Sequence, residues 1–253
     1  VAGRSRSDSI PVRLHSVQRN GRFASHYFIA REYKGAADVL SAASELMPRR
    51  TKEEAELTRE RILDAAEVVF LDKGVSAASL EGIARTAGLT RGAIYWHFKD
   101  KGAILDALRE KVDLPLMELA EACRQQPDHD PLKMARELCA LVLHKLEDDE
   151  HYRNIHSIFL TRCEYTEGAN SHLESQKAVD EECIADITLD FERADAMGRL
   201  APGVTPRVAA LTLFSLLHGI FLCWLRHPGR FAIREEGQAM LDLFFGSIEN
   251  QRS

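Results

Sequence analysis

From Thr51 to Lys101 the chain alternates helix starts with helix stops, and this punctuation limits the possible folds more than any bulk property. Thr51 and Glu54 have the spacing of a capping box, in which a hydroxyl and a carboxylate satisfy amides at a helix start. Ile62, Leu63, Ala66, Val69 and Phe70 then follow i, i+1, i+4, i+7, i+8 spacing, a single apolar stripe. Gly74 ends that helix, since glycine tolerates the left-handed conformation that closes a helix. Ser79 can cap a short second helix with Leu80, Ile83, Ala84 and Ala87 turned inward. Gly88 closes it, Thr90 caps a third helix and Asp100 a fourth. Two short helices joined by a tight glycine turn outline a helix-turn-helix.

The same grammar continues downstream. The fourth helix is expected from Lys101 toward Arg124, loosened near Pro115. Asp130-Pro131 opens a fifth that reaches about Leu146, and further helices fit roughly 149–167, 172–197, 206–226 and 233–249. No run alternates Val, Ile or Thr with polar residues, so the expected fold is all-α. From Val208 to Leu225 there are 18 residues without Asp, Glu, Lys or Arg, a length that reaches a membrane span. Thr212, Ser215, His218 and Gly219 interrupt it, and Thr205-Pro206 opens it as a soluble helix would open. The expectation is a helix buried on all sides, with no membrane partner.

Charge is unevenly placed. Residues 1–52 hold ten Lys/Arg against four Asp/Glu, whereas residues 112–253 hold fourteen against twenty-four. A polyanion would therefore meet the front of the chain. Residues 1–46 lack periodicity and read as a disordered or loosely docked extension, or as a non-native one preceding a start at Met47. If native, this Arg-rich arm adds phosphate contacts beside Arg49, Arg50 and Lys52.

The five cysteines are odd in number and form no CxxC pair, which disfavours a disulfide framework or a zinc site. A reducing cytosol is the expected compartment, since the N-terminus has no charged-then-apolar signal pattern. GxGxxG, Walker, HExxH and GxSxG motifs are missing. His151 and His156 stand five apart without a motif glutamate, and the acidic run 147–150 reads as a solvated junction between helices. No enzyme activity, cofactor or metal is expected.

"LTRGAIYWHFKDK", from Leu89 to Lys101, carries the chemistry. Ile94 and Phe98 are four apart and point together into the core. At about 100° per residue, Gly92 and Trp96 project from the opposite face with Ala93 beside them. Gly92 lets backbone approach closely, and Ala93 suits contact with a thymine methyl. Tyr95 and His97 flank that face, Thr90 and the helix N-terminus favour phosphate, Lys99 and Lys101 add charge, and Arg91 suits a guanine edge or the backbone. The alternative is an aromatic core cluster with solvated charges, which leaves Trp96 pointing the wrong way.

These residues resemble the DNA-binding signature of the TetR family: Ile83-Ala84, Ala87-Gly88, and the Gly-x-Ile-Tyr-x-His-Phe-x-x-Lys run from Gly92 to Lys101. "RRTKEEA", "TRGAIYWHF", "RCEYTEG" and "GRLAPGVTPRVAALTLFSLLHGIFLCWL" further resemble the multidrug-efflux repressors of the AcrR/TtgR type. The resemblance covers about residues 47–245. It implies a helix-turn-helix head at 47–100, where the second-helix cap Ser79 joins the DNA-facing set, and a ligand-binding and dimerisation body at 101–253. It implies a homodimer joined through helices near 206–226 and 233–249, with Leu211, Phe214, Trp224, Leu243 and Phe244 as the apolar contact. It implies a palindromic operator in double-stranded DNA, released when a hydrophobic small molecule binds. Carried over by position, Asp113, His156, Leu160, Phe214, Leu217 and His218 would line the pocket. Leu160 departs from the histidine of a TtgR-like site, which shifts ligand preference. An acidic Asp113 in an apolar wall would favour a cationic ligand. A helical interaction module, or a DNA-binding activator without an effector, remains open.

Overall fold

The computed structural model describes residues 38–126, 129–163 and 170–250, with side chains described from Lys52 onward outside residues 170–173. The chain divides into two units, Val1–Arg49 and Arg50–Ser253. The described part of the first unit, residues 38–49, is helical. The expectation for residues 1–37 lies outside the described residues.

Among the described residues the second unit is helical throughout. The elements are α1 (Asp38–Lys73, beginning in the first unit), α2 (Leu80–Thr86), α3 (Arg91–His97), α4 (Lys101–Arg124), α5 (Pro131–Asp148), α6 (Glu150–Ser157), α7 (Asn170–Ala196), α8 (Pro206–Arg226) and α9 (Gln238–Ile248). Wider π-helical turns follow α6 (Ile158–Arg162) and precede α9 (Ile233–Gly237). An isolated antiparallel bridge, Leu200 to Glu249, ties the chain end to the α7–α8 connection. The fold is all-α, as expected.

The first helix differs from the sequence reading. It starts at Asp38, and Thr51 lies within it instead of capping it. The upstream stretch "DVLSAASEL" is rich in Ala and Leu, strong helix formers that carry the helix past the Thr51–Glu54 box. The other three caps form. Ser79 Oγ accepts the Gly82 amide at 3.1 Å, Thr90 Oγ1 the Ala93 amide at 3.2 Å, and Asp100 Oδ1 the Ala103 amide at 2.8 Å. Each such cap is worth about 1 kcal/mol. Gly74 and Gly88 take positive φ (76° and 64°), the conformation that ends α1 and α2 without a Cβ penalty.

One core runs through the second unit. Ile62, Leu63, Ala66 and Phe70 of α1 meet Ile83 and Ala84 of α2, Ile94 of α3 and Phe98, all nearly fully buried. Burying each large side chain contributes about 1.5–3 kcal/mol, which is what lets seven-residue helices persist. In the body, Arg124 of α4 forms a two-pronged pair with the buried Asp190 of α7, with Nε to Oδ1 at 3.0 Å and Nη2 to Oδ2 at 2.8 Å. Arg136 of α5 reaches Asp242 and Glu249, both at 2.8 Å.

Helix α8 is long and apolar enough to cross a membrane. Ala209, Ala210, Leu213, Ile220 and Phe221 pack into the body. The expectation of burial on all sides is corrected, however: Val208 and Leu211 are exposed, and the opposite flank of α8 is open.

Candidate nucleic-acid interface and ligand cavity

Helix α3 hangs from two inward residues. Ile94 is fully buried, and Phe98 beyond its end is 4% exposed with the Arg59 guanidinium 5.4 Å over its ring. With those two fixed, the helical repeat turns the remaining side chains outward. Trp96 is 74% exposed and Tyr95 45%. A Cβ built on Gly92 meets nothing within 4 Å, so the outer face is open there. Ala93 is half-buried at its edge. The aromatic run thus divides as its spacing predicts, with Phe98 inside and the other rings outside.

The flanks are polar and partly tethered. Arg91 lies 3.2 Å from Glu81 of α2 and 5.5 Å from the Tyr95 ring centroid. An exposed pair of this kind is worth about 0–1 kcal/mol, so it yields readily to a better acceptor. His97 packs edge-on against Trp96 at 4.6 Å, and burial and the Arg59 charge lower its pKa, which favours the neutral imidazole. Lys99 is exposed. The Arg50 side chain lies outside the described residues.

Lys101 overturns one expectation. Its ammonium donates to the carbonyls of Val75 at 2.7 Å, Ser76 at 3.1 Å and Ala78 at 2.8 Å. All three donors are thereby committed to the α1–α2 turn, and burial lowers its pKa. It is a strut within the head and not a free cation beside α3.

The body contains a cavity of about 150 Å³, almost wholly apolar. It is lined by His156 and Leu160 from α6 and its π-turn and by Phe214, Leu217 and His218 from α8, residues picked out from sequence. Tyr152, Val142, Cys183, Ile187 and Phe221 complete the wall and were missed. Tyr152 had a signal, being four residues before His156 on one helix face. The others arrive from α5, α7 and α8, whose mutual rotation no local pattern encodes.

His156 is the unusual wall residue. Its ring lies between Tyr152 (4.3 Å between centroids) and Phe221 (5.1 Å, edge-on). Its buried Nε2 has no hydrogen-bond partner among the described residues. Burial first, then the Arg109 and His218 charges, push its pKa down to about 3, so the ring is neutral at ordinary pH. Across the cavity, His218 stacks on Phe214 at 4.0 Å, and its Nδ1 lies 3.0 Å from the Phe214 carbonyl.

Asp113 does not line the cavity. It faces Arg109 one helical turn earlier on α4, with Oδ2 and Nη1 4.0 Å apart. Burial raises its pKa, the Arg109 charge opposes this, and Asp180 adds to it. Arg109 also approaches Asp180 at 3.8 Å and stands 4.3 Å over the Phe159 ring. One guanidinium thus faces two carboxylates, Asp113 and Asp180.

The residues assigned to a subunit contact also divide. Leu243 is 77% exposed and Leu211 37%, while Trp224 is half-buried. Phe244 is corrected: it is 8% exposed and packs on Phe245 in the chain's own core, because the repeat of α9 turns positions 241, 244, 245 and 248 inward together. Among the described residues no cluster of three or more His, Cys, Asp or Glu is placed to hold a metal ion.

Residues 62–108 match the family model for bacterial regulatory proteins of the tetR family, and residues 130–249 match that for the C-terminal region of MAATS-type transcriptional repressors. The chain is 36% identical over 182 residues to the HTH-type transcriptional regulator TtgR of Pseudomonas putida, spanning 72% of this chain and 87% of that protein. Among solved structures it is similar to NalD, the secondary repressor of the MexAB-OprM multidrug efflux pump in Pseudomonas aeruginosa, at a TM-score of 0.71 and 38% identity, covering 79% of this chain and 99% of NalD. It is likewise similar to SmeT in its triclosan complex, at a TM-score of 0.71 and 31% identity, covering 77% and 93%.

Proposed function

The chain belongs to the TetR family of bacterial regulatory proteins, and from that premise we propose that it represses a multidrug efflux operon and leaves its operator when a hydrophobic small molecule enters the body cavity. The observation that carries this reading is the outward face of α3, where an open Gly92 and a 74% exposed Trp96 stand over a sealed three-helix core. What supports groove binding is the combination on one face: an open glycine, an outward indole, and Arg91 and Lys99 exposed beside them.

In this proposal α3 enters the major groove. Gly92, Ala93 and Trp96 meet base edges, and Arg91 leaves Glu81 for a guanine or a phosphate. Tyr95, His97, Lys99, Ser79, Thr90 and Arg50 contact the backbone. The Thr90 and Ser79 oxygens accept helix amides, which leaves each hydroxyl hydrogen for a phosphate oxygen. Two copies joined through the open flanks of α8 and α9, around Leu211, Trp224 and Leu243, present two such helices to a palindrome. The head at 47–100 and the body at 101–253 divide the work. The effector is hydrophobic and, with Arg109 shared between Asp113 and Asp180 near the cavity, a positive charge on it is one variable of the test. Efflux control rests on the likeness to TtgR, NalD and SmeT.

The test is a gel shift with the DNA immediately upstream of the gene, repeated across salt and with hydrophobic compounds that include triclosan. The expected result is a retarded band that weakens steeply with salt and is lost with at least one compound. No band at low salt refutes DNA recognition. A band indifferent to every compound refutes the role of the cavity.

A further inference from the structure

Among the described residues two charged side chains are buried, Asp190 and Glu67; Asp190 is paired with an arginine and Glu67 is not. Glu67 lies on α1, is 6% exposed, and faces α6. Its Oε1 accepts from Asn154 Nδ2 at 2.8 Å, and its Oε2 lies 3.0 Å from His151 Nδ1. A carboxylate only accepts, so that imidazole nitrogen carries the hydrogen. His151 itself is exposed and open to solvent protons.

The position of α6 gives this contact a direction. His151 and Asn154 are three apart and share one helix face, while Tyr152 and His156, both in the cavity wall, share another. The centres of the two faces are roughly 150° apart on a helix of two turns. One side of α6 thus reads the cavity and the other grips α1. The far end is tied as well: the Val75 amide, just past α1, donates to the Arg162 carbonyl at 3.0 Å, in the π-turn that carries the wall residue Leu160.

We propose that Glu67, His151 and Asn154 form a joint through which α6 reports cavity occupancy to α1, and that protonation of His151 tightens it. The proposal rests on reading α1–α3 as the DNA-binding head. The charged groups facing the imidazole are Glu67 and Asp64 from α1 and Lys111 from α4, which is itself paired with Glu60 at 2.6 Å and Asp64 at 3.6 Å. On α5 the Lys145 ammonium stands 5.6 Å over the Tyr152 ring. The hydrogen bond and charge of Glu67 raise the His151 pKa against a smaller burial effect and the opposing Lys111. The added grip is therefore fully present below the ordinary value of 6.5 and fades as pH rises through the raised one.

The experiment is hydrogen–deuterium exchange of the α1 amides in the full-length protein, corrected for intrinsic rates, at about pH 5.5 and about pH 8. Opening at the C-terminal half of α1 is expected to be about threefold rarer at the lower pH, the scale of a part-exposed ion pair. His151→Gln keeps an amide donor without a titrating charge, and Glu67→Gln removes the acceptor charge; both are expected to flatten this difference. Leu217→Trp, or Val142→Trp if the first does not fold, fills the cavity as a stand-in for ligand. It is expected to speed α1 exchange in the wild-type background and to lose most of that effect with Glu67→Gln. An unchanged pH difference in His151→Gln overturns the proton dependence. An equal response to cavity filling with and without Glu67 overturns the joint. Neither readout involves DNA, so a failed gel shift and a failed joint remain separate results.

Discussion

The head and the body handle aromatic side chains in opposite ways. In the head, Trp96 and Tyr95 lie on a convex, solvent-facing helix with an open Gly92 beside them. In the body, Tyr152, Phe214 and Phe221 line a recessed apolar space together with two histidines. Under the proposed function, the difference follows from partner size. A duplex is read from inside its groove, so a helix that reads it must protrude. A drug-sized molecule gains affinity by being surrounded, so its reader must recede. Polar atoms differ in the same sense. Around α3 they are solvated or loosely paired, as Arg91 is with Glu81, whereas His156 holds a buried nitrogen with no partner among the described residues.

This contrast can be broken most forcefully beneath the head. Phe70 is fully buried where α1 supports α2 and α3. Phe70→Ala is expected to cost about 3–5 kcal/mol, seen as a lower midpoint in thermal or denaturant unfolding. A near-neutral result would mean that the head's seal does not depend on that ring. On its outer face the effect should move from stability to binding. Tyr95→Ala is expected to weaken operator affinity by about 1–3 kcal/mol per half-site while the helical circular dichroism stays intact. Loss of helicity would place the ring in the core and erase the contrast.

The body offers the subtlest test, through pH. Neutral His156 resists protonation until about pH 3, whereas the unfolded chain takes up that proton near 6.5. Stability should therefore fall as pH drops from 6.5 toward 3, by up to about 1.4 kcal/mol per pH unit from this group. His156→Phe should flatten that slope and be neutral or stabilising near pH 7, because it removes an unsatisfied buried nitrogen. An unchanged acid profile would show that the ring is solvated.

The two regions also differ in how legible they were in the sequence. The head is written in short-range signals: Ser79, Thr90 and Asp100 cap, Gly74 and Gly88 stop, and the four-residue gap between Ile94 and Phe98 orients α3. What the sequence hid there was long-range, as with Lys101, whose acceptors lie more than twenty residues upstream. Much of the cavity was reached only by resemblance to a family, because its walls come from helices packed at angles that no periodicity fixes. Asp113 was misplaced because it turns along α4 toward Arg109 and away from the cavity wall, a rotation the sequence does not reveal. Phe244 was misplaced because α9 carries large apolar residues on both its inner and outer faces, as Leu243 and Phe244 show side by side.

The Lys101 strut also limits which side chain fits at that position. Three carbonyls converge on one point, and a tetrahedral ammonium can address them together as a tripod. A guanidinium is a flat fork that points its donors in one plane, so arginine would keep the charge and lose the fit. With that peg removed, the first turn of α4 would no longer be fastened to the loop that sets α2 against α1. The three carbonyls would then face solvent, and the junction between the first turn of α4 and the α1–α2 turn would lose that shared donor group.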